Sequence, residues 1–168
     1  MGQENSKMEK IMDVIFENPE ASLKIRDISK NAKIPRSTVH RYLHILKRSN
    51  ITDNNNKPII NNYTKFLKSV HIIKRIYTSG LIGYLEEKLL PSAIILFGSA
   101  RKGEYSKESD IDLFIETTKS AQLEISKFEK KIKHKIQLFI EPDINKTPKE
   151  LFNNLINGIK LTGYIKIK

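Results

Sequence analysis

The chain has no cysteine among its 168 residues. That excludes disulfides and any thiolate metal centre. Histidine is scarce, with four copies. His40 and His44 stand one helical turn apart, but no other His or Cys lies near enough in sequence to complete a metal site, so both are expected at a groove or on the surface. No apolar run is long enough to span a membrane, and residues 1–7 hold no apolar signal core. A membrane partner is therefore not expected, and the expected location is cytoplasmic. Acidic residues are few, 19 against 30 Lys and Arg, for a net charge of +11. A field of that sign favours polyanions such as nucleic acids and nucleotides. The chain is rich in Lys, Ile and Asn throughout, so charge alone is a weak pointer. Hydrophobic residues make up 39%, below the usual share, but they cluster, which predicts a packed core. The length admits one medium domain or two small ones.

What is present is concentrated in one run, Leu96-Phe-Gly98-Ser99-Ala-Arg101-Lys-Gly103-Glu104 through Ser109-Asp110-Ile-Asp112-Leu113. It puts a Gly-Ser turn after one apolar strand and an Asp-x-Asp pair in the next. Side chains alternate along a strand, so Asp110 and Asp112 point the same way while Ile111 and Leu113 point into the core. Two adjacent carboxylates repel, and a cation between them relieves that. Such oxygen ligands suit Mg²⁺ (or Mn²⁺), completed by water and substrate phosphates. Gly98 lets backbone approach a phosphate, and the Ser99 N–H and hydroxyl can donate to it. Together these are the parts needed for nucleotide phosphoryl or nucleotidyl transfer. The plainer alternative is a solvated edge strand with two surface aspartates and an ordinary Gly-Ser turn.

The run resembles the signature of the polymerase β-like nucleotidyltransferase superfamily: Gly-Ser, a spacer of about ten residues (here Ala100 to Ser109), then Asp-x-Asp. Within it, the run is most similar to the minimal nucleotidyltransferase domains, which also favour Arg-x-Gly-Glu after the Gly-Ser and Ser-Asp-Ile-Asp-Leu at the metal strand. Arg101, Gly103, Glu104, Ser109 and Leu113 fit that fuller pattern. The resemblance implies a nucleoside triphosphate (NTP) as substrate or ligand, held by Gly98, Ser99, Arg101 and Ser109. It implies a metal on Asp110 and Asp112.

Ahead of this run, residues 7–17 put Met8, Ile11, Met12, Ile15 and Phe16 on one helical face, and Asn18-Pro19 stops the helix. A second short helix over 24–32 turns Ile25, Ile28 and Ala32 inward. After Lys33-Ile34-Pro35 a third runs to about Ser49, burying Val39, Tyr42, Leu43 and Leu46. Three short helices with this turn read as helix-turn-helix. Ile51-Thr52 and Pro58–Ile60 flank the polar tip 53–57, a short hairpin or wing. Residues 24–43 resemble a winged-helix transcription-regulator domain, a likeness covering about residues 6–60. The third helix carries no acid. Arg36, Ser37, Thr38, His40 and Arg41 are the expected contacts to double-stranded DNA, with Lys57 at the wing tip touching its backbone.

Residues 62–89 read as helical, with Phe66, Val70, Ile73, Ile76, Leu81, Leu85 and Leu89 at helical spacing and Gly80 or Gly83 as a break. Then come strand 93–97, the Gly-Ser turn, strand 111–116, a helix around 120–132 and strand 135–141. A helix follows, capped by Thr147 with Pro148 first and Glu150 completing a capping box, then a tail at 165–168 that reads as a short edge strand. The expected fold class is α/β (α+β): residues 1–60 a winged helix-turn-helix, 61–90 a linking helix, and 91–168 a small mixed-sheet nucleotidyltransferase domain.

Enzymes of this superfamily use a third carboxylate on a later strand as metal ligand and general base. The matching position here is Gln137, whose amide can ligate a metal weakly but cannot take a proton. Glu141 lies roughly 13 Å further along an extended strand. The Lys127–Lys135 cluster reads either as a solvated helix face or as a guide for nucleic acid or triphosphate. The leading expectation is a DNA-binding protein that transfers a nucleoside monophosphate from an NTP to a hydroxyl, with Asp110, Asp112 and Gln137 at the reacting centre. The resemblance implies either an antitoxin that modifies a HEPN-type toxin or an antibiotic-modifying enzyme, and the winged helix favours the antitoxin-like setting. The alternative is a winged-helix regulator whose nucleotidyltransferase domain only senses nucleotide or acts as a scaffold. A homodimer through the 62–89 segment is also expected.

Overall fold

The computed structural model describes residues 2–168, with side chains from residue 6 onward; Met1, where the first expected domain begins, lies outside the described residues. The chain divides into two compact units, residues 1–65 and 66–168.

The first unit holds α1 (Gly2–Phe16), α2 (Ile25–Ala32) and α3 (Arg36–Arg48). Ile11, Val14, Ile15 and Phe16 of α1 are buried, while Met8 and Met12, expected inside, are only half-buried. Val14 takes their place because the inward stripe is centred nearer the helix end. Asn18 closes α1 by donating to Val14 O at 2.8 Å. Between α2 and α3, Lys33 adopts a left-handed backbone (φ 55°), and Ser29 Oγ donates to Ile34 O at 2.7 Å. This sharp, braced turn delivers Val39, Tyr42, Leu43 and Leu46 of α3 to the core with Ile28 and Ala32 of α2. The hairpin after α3 is one bridge long, Thr52 to Pro58. Asp53 Oδ1 accepts the Asn55 and Lys57 N–H groups, and Asn56 Nδ2 donates to Leu23 O at 2.7 Å.

The boundary between the units falls inside α4 (Asn62–Ser79), which is followed by α5 (Leu81–Leu89). Gly80 makes the break, at φ 87°, and Gly83 lies within α5. Phe66 and Val70 depart from the expected inward face: they are 60% and 46% exposed, while Lys68, His71, Ile72 and Ile76 are buried. The second unit continues with β1 (Ala93–Phe97), α6 (Gly98–Lys102), β2 (Ile111–Glu116), α7 (Ser126–Ile132), β3 (Ile136–Glu141), a 3-10 turn (Ile144–Lys146), α8 (Lys149–Ile156) and β4 (Ile159–Gly163).

The four strands form one mixed sheet in the order β3-β2-β1-β4. β1 is antiparallel to both neighbours and β2 is parallel to β3. A parallel pair needs a crossover, and the segment with α7 supplies it. One sheet face packs Ile94, Leu96, Leu113 and Ile115 with Ile72, Ile76, Leu85 and Phe128 of the helices. The other packs Ile95, Phe97 and Phe114 with Ile144 and Leu155. Covered on both faces, β1 and β2 are apolar except where Asp112 interrupts them and Glu116 ends β2.

Several local expectations are corrected. The Gly-Ser turn opens one turn of helix, α6. The helix expected from 120 begins at Ser126, because residues 117–125 run as a loop whose Glu124 N–H donates to Tyr84 Oη at 2.8 Å. The edge strand lies at Ile159–Gly163 and not at 165–168. Gly158 allows it to come close, since a Cβ there would run into Ile95 and Leu96 O. Thr147 does not cap α8: its hydroxyl donates to Ile144 O at 2.7 Å, and Pro148 holds the cap position.

Candidate functional site

The strand pairing brings the sequence motif together. Phe97 lies opposite Asp112 across β1 and β2, so Gly98, the next residue, comes up against the Asp112 side chain. Gly98 has a left-handed backbone, φ 68°, and a Cβ at that position would overlap Asp112 Oδ2. Only glycine meets both conditions without strain. Ser99 follows as a half-buried residue of α6, and Arg101, also half-buried, sits in its last turn. The start of the loop to β2 is tied back to this helix, with the Glu104 N–H donating to Ser99 O at 3.0 Å.

Asp112 is half-buried and Asp110 is exposed. Burial, and secondly the charge of Asp110, push the Asp112 carboxyl above the usual aspartate range. A site that raises the cost of its own negative charge is one that gains from a cation. Two carboxylates of this kind, one of them exposed, are oxygen donors of the type that Mg²⁺ takes.

The parallel register sets Gln137 of β3 directly beside Asp112, and Gln137 is exposed. Glu141 pairs with Glu116 at the far end of the same two strands. Glu116 is buried and committed, accepting from Ser92 Oγ at 2.6 Å and from Ile144 N–H at 2.8 Å. Among the described residues, no group of three or more His, Cys, Asp or Glu side chains is arranged to hold a metal. The candidate site therefore has two carboxylates and an amide where a third acid would stand.

Ser109, expected to face nucleotide, turns its hydroxyl to its own loop and accepts the Ser106 N–H at 2.9 Å. Beside Asp110 opens a cleft of about 370 Å³ lined by both signs of charge, Lys107, Lys130, Lys133 and Lys135 with Glu108 and Glu129, and by Ser109 and His134. Only part of the Lys127–Lys135 cluster goes there. Lys127 lies over the rings of Tyr84 and Phe128, and Lys131 donates to Ser79 O at 3.1 Å. Sequence reasoning passed over Lys68, Tyr105 and His134. Lys68 and His134 are a helical lysine and a lone histidine, far in sequence from the motif, and nothing local marks them.

On the first unit, Arg36, Ser37, His40, Arg41 and His44 lie on the exposed side of α3, and Thr38 is half-buried. Arg41 stacks over the Tyr42 ring at 5.1 Å. Lys57 is engaged with Glu20, Nζ to Oε2 2.9 Å, and Lys47 reaches across to Asn54 O at 3.2 Å. An open basic helix with its flanking hairpin is the geometry that docks in a DNA groove.

No curated protein and no solved structure matches the chain significantly. No helix among the described residues is long and apolar enough to cross a membrane. Two family models do match. Residues 79–161 match the nucleotidyltransferase domain, and residues 10–51 match the IclR helix-turn-helix domain. The chain thus carries a helix-turn-helix, which points to DNA, ahead of a nucleotidyltransferase domain, which points to nucleotide transfer.

Proposed function

We propose that this is a DNA-binding, Mg²⁺-dependent nucleotidyltransferase of the polymerase β-like kind, moving a nucleoside monophosphate from an NTP to a hydroxyl acceptor. The observation that carries the reading is the fit of Gly98 against Asp112, with Asp110 beside it. Asp110 and Asp112 would hold the divalent cation, Mg²⁺ or Mn²⁺. The chemistry supplied there is neutralisation of charge on the α-phosphate and the departing pyrophosphate.

The chain's own residues do the rest. Gly98 leaves room for the Asp112 carboxylate to lie against the Gly-Ser turn. Ser99 offers its N–H and hydroxyl to the β- and γ-phosphates, and Arg101 adds positive charge. The α-phosphate is thereby presented to the acceptor hydroxyl. Gln137 orients by its amide but takes no proton, so the hydroxyl proton passes to solvent or to a group that the acceptor brings. On the other unit, Arg36, Ser37, Thr38, His40 and Arg41 would enter the major groove of double-stranded DNA. Lys57 has a lesser share, since Glu20 holds it.

The setting we favour is a cytoplasmic, antitoxin-like one, in which a HEPN-type toxin supplies the hydroxyl and the winged helix regulates its own operon. A homodimer through α4 is part of this reading, because Phe66, Val70 and Tyr77 remain exposed on it. Light scattering tests it: a monomer mass at every concentration removes it.

The second reading is a regulator that binds nucleotide without transferring it. Gln137 beside Asp112 favours it. The experiment that separates the two uses labelled ATP, GTP, CTP and UTP with Mg²⁺ and cell extract, run beside an Asp110→Asn, Asp112→Asn double variant. Label on a discrete acceptor, lost in the variant, supports transfer. Mg²⁺-dependent nucleotide binding without label supports the sensing regulator.

A further inference from the structure

The loop between the two halves of the motif, residues 103–109, is held by two buried side chains from outside it. Lys68 of α4 is only 5% exposed. A buried ammonium is expensive unless its charge is met. Lys68 Nζ donates to Tyr105 O at 2.7 Å and lies 4.6 Å from the centre of the Tyr105 ring. Tyr105, wholly buried, donates its hydroxyl back to Lys68 O at 3.3 Å.

The second anchor is His134, 4% exposed, in the turn between α7 and β3. Its Nδ1 lies 2.7 Å from Ser109 O. A carbonyl oxygen only accepts, so Nδ1 carries the proton. The His134 ring meets Tyr105 edge-on, 5.6 Å between centres. The two anchors therefore share one tyrosine.

Their common target is Asp110. The peptide before it is held through Ser109 O by His134, and the peptide after it through the Ile111 N–H, which donates to Lys135 O at 2.9 Å. Asp112 is fixed by the β1–β2 ladder, but Asp110 stands just before β2, where no strand pairing orders its side chain. Two carboxylates serve one Mg²⁺ only if their oxygens keep near-octahedral geometry.

We infer that Lys68 and His134 are positioning residues: they clamp the 103–109 loop on Tyr105 and so hold Asp110 in register with Asp112 for a shared divalent cation. This rests on the reading of Asp110 and Asp112 as metal ligands. Lys68→Met leaves the Tyr105 carbonyl without this donor, so a purely structural role predicts a lower Tm with normal metal binding in the folded protein. The clamp predicts otherwise.

The test uses the full chain and Mn²⁺ alone, titrated by electron paramagnetic resonance, with thermal unfolding and amide hydrogen exchange on the same samples. In Lys68→Met and His134→Leu, Mn²⁺ affinity is expected to fall about tenfold or more, as for lost outer-shell partners. Some loss of Tm is expected from the orphaned carbonyls, but amides 104–111 are expected to exchange faster than that global loss accounts for. Lys68→Arg and His134→Asn, which keep a donor, are expected to recover much of the affinity, and they carry the test if the apolar variants do not fold. Unchanged exchange at 104–111 together with unchanged Mn²⁺ affinity overturns the inference. Wild-type protein that fails to bind Mn²⁺ overturns the metal reading instead, and the exchange of 104–111 in the variants still decides whether the clamp exists.

Discussion

Gly98 and Asp112 occupy one space: the hydrogen of Gly98 lies where any Cβ would strike Asp112 Oδ2, and the Gly98 backbone is left-handed at φ 68°. The Gly-Ser turn and the Asp-x-Asp strand are thus a single fitted piece. In Gly98→Ala the carboxylate is displaced or the turn is rebuilt. The left-handed backbone adds roughly 1–2 kcal/mol for a non-glycine residue. The expected result is a folded protein of lower Tm whose Mg²⁺-dependent nucleotide binding, read by calorimetry, is reduced at least as strongly as its stability. Unchanged nucleotide binding would detach Gly98 from the site.

Asp112 carries a pH signature. Its carboxyl is raised above the usual aspartate value, chiefly by burial and then by Asp110. The folded chain therefore binds this proton more tightly than the unfolded one, so ionisation of Asp112 subtracts stability as pH rises from the ordinary aspartate value through the raised one. Without metal, Asp112→Asn is expected to raise the Tm at neutral pH and to lose no stability over that window. With Mn²⁺ the order reverses, because only the wild type is stabilised by the ion. Proton and cation compete for one carboxylate, so wild-type Mn²⁺ affinity is expected to climb across the same window.

Gln137 stands beside Asp112 on β3 and is exposed, so an acid there meets no packing obstacle. Gln137→Glu or Gln137→Asp supplies the missing base, and a positioned base contributes on the order of 10²–10⁴-fold. If the chain transfers nucleotide, the labelled-NTP rate is expected to rise in one of these variants. A rate that falls would mean that the amide has a role of its own.

The open side of α3 predicts a graded DNA response. Arg36→Ala and Arg41→Ala are each expected to weaken duplex binding. Where the lost contact is to phosphate, the salt dependence flattens by about one unit of log–log slope per contact. Lys57→Ala is expected to change it little, because Glu20 already takes its ammonium. Fluorescence anisotropy from low to physiological salt measures all three.

Features set by neighbours along the chain were legible in the residues alone. Alternation in Ile111–Glu116 and helical spacing in residues 36–48 are local, so the Asp-x-Asp strand and the basic helix could be read from residues alone. Gly98 could be singled out because glycine is the residue that a left-handed turn favours. Features set by contacts between distant segments emerged with the fold. The edge strand is expected at 165–168, but Gly158 lets Ile159–Gly163 take that place against Ile95. Phe66 and Val70 have inward spacing, but the inward side of α4 belongs to Lys68 and His71, and Lys68 there reaches the Tyr105 carbonyl, a contact that helical spacing does not announce. That Gln137 lies beside Asp112 while Glu141 stays out of reach follows from parallel register, which no single strand encodes. The two anchors of Asp110 come from residues 37 positions before Tyr105 and 25 after Ser109, a separation across which sequence pattern carries no signal.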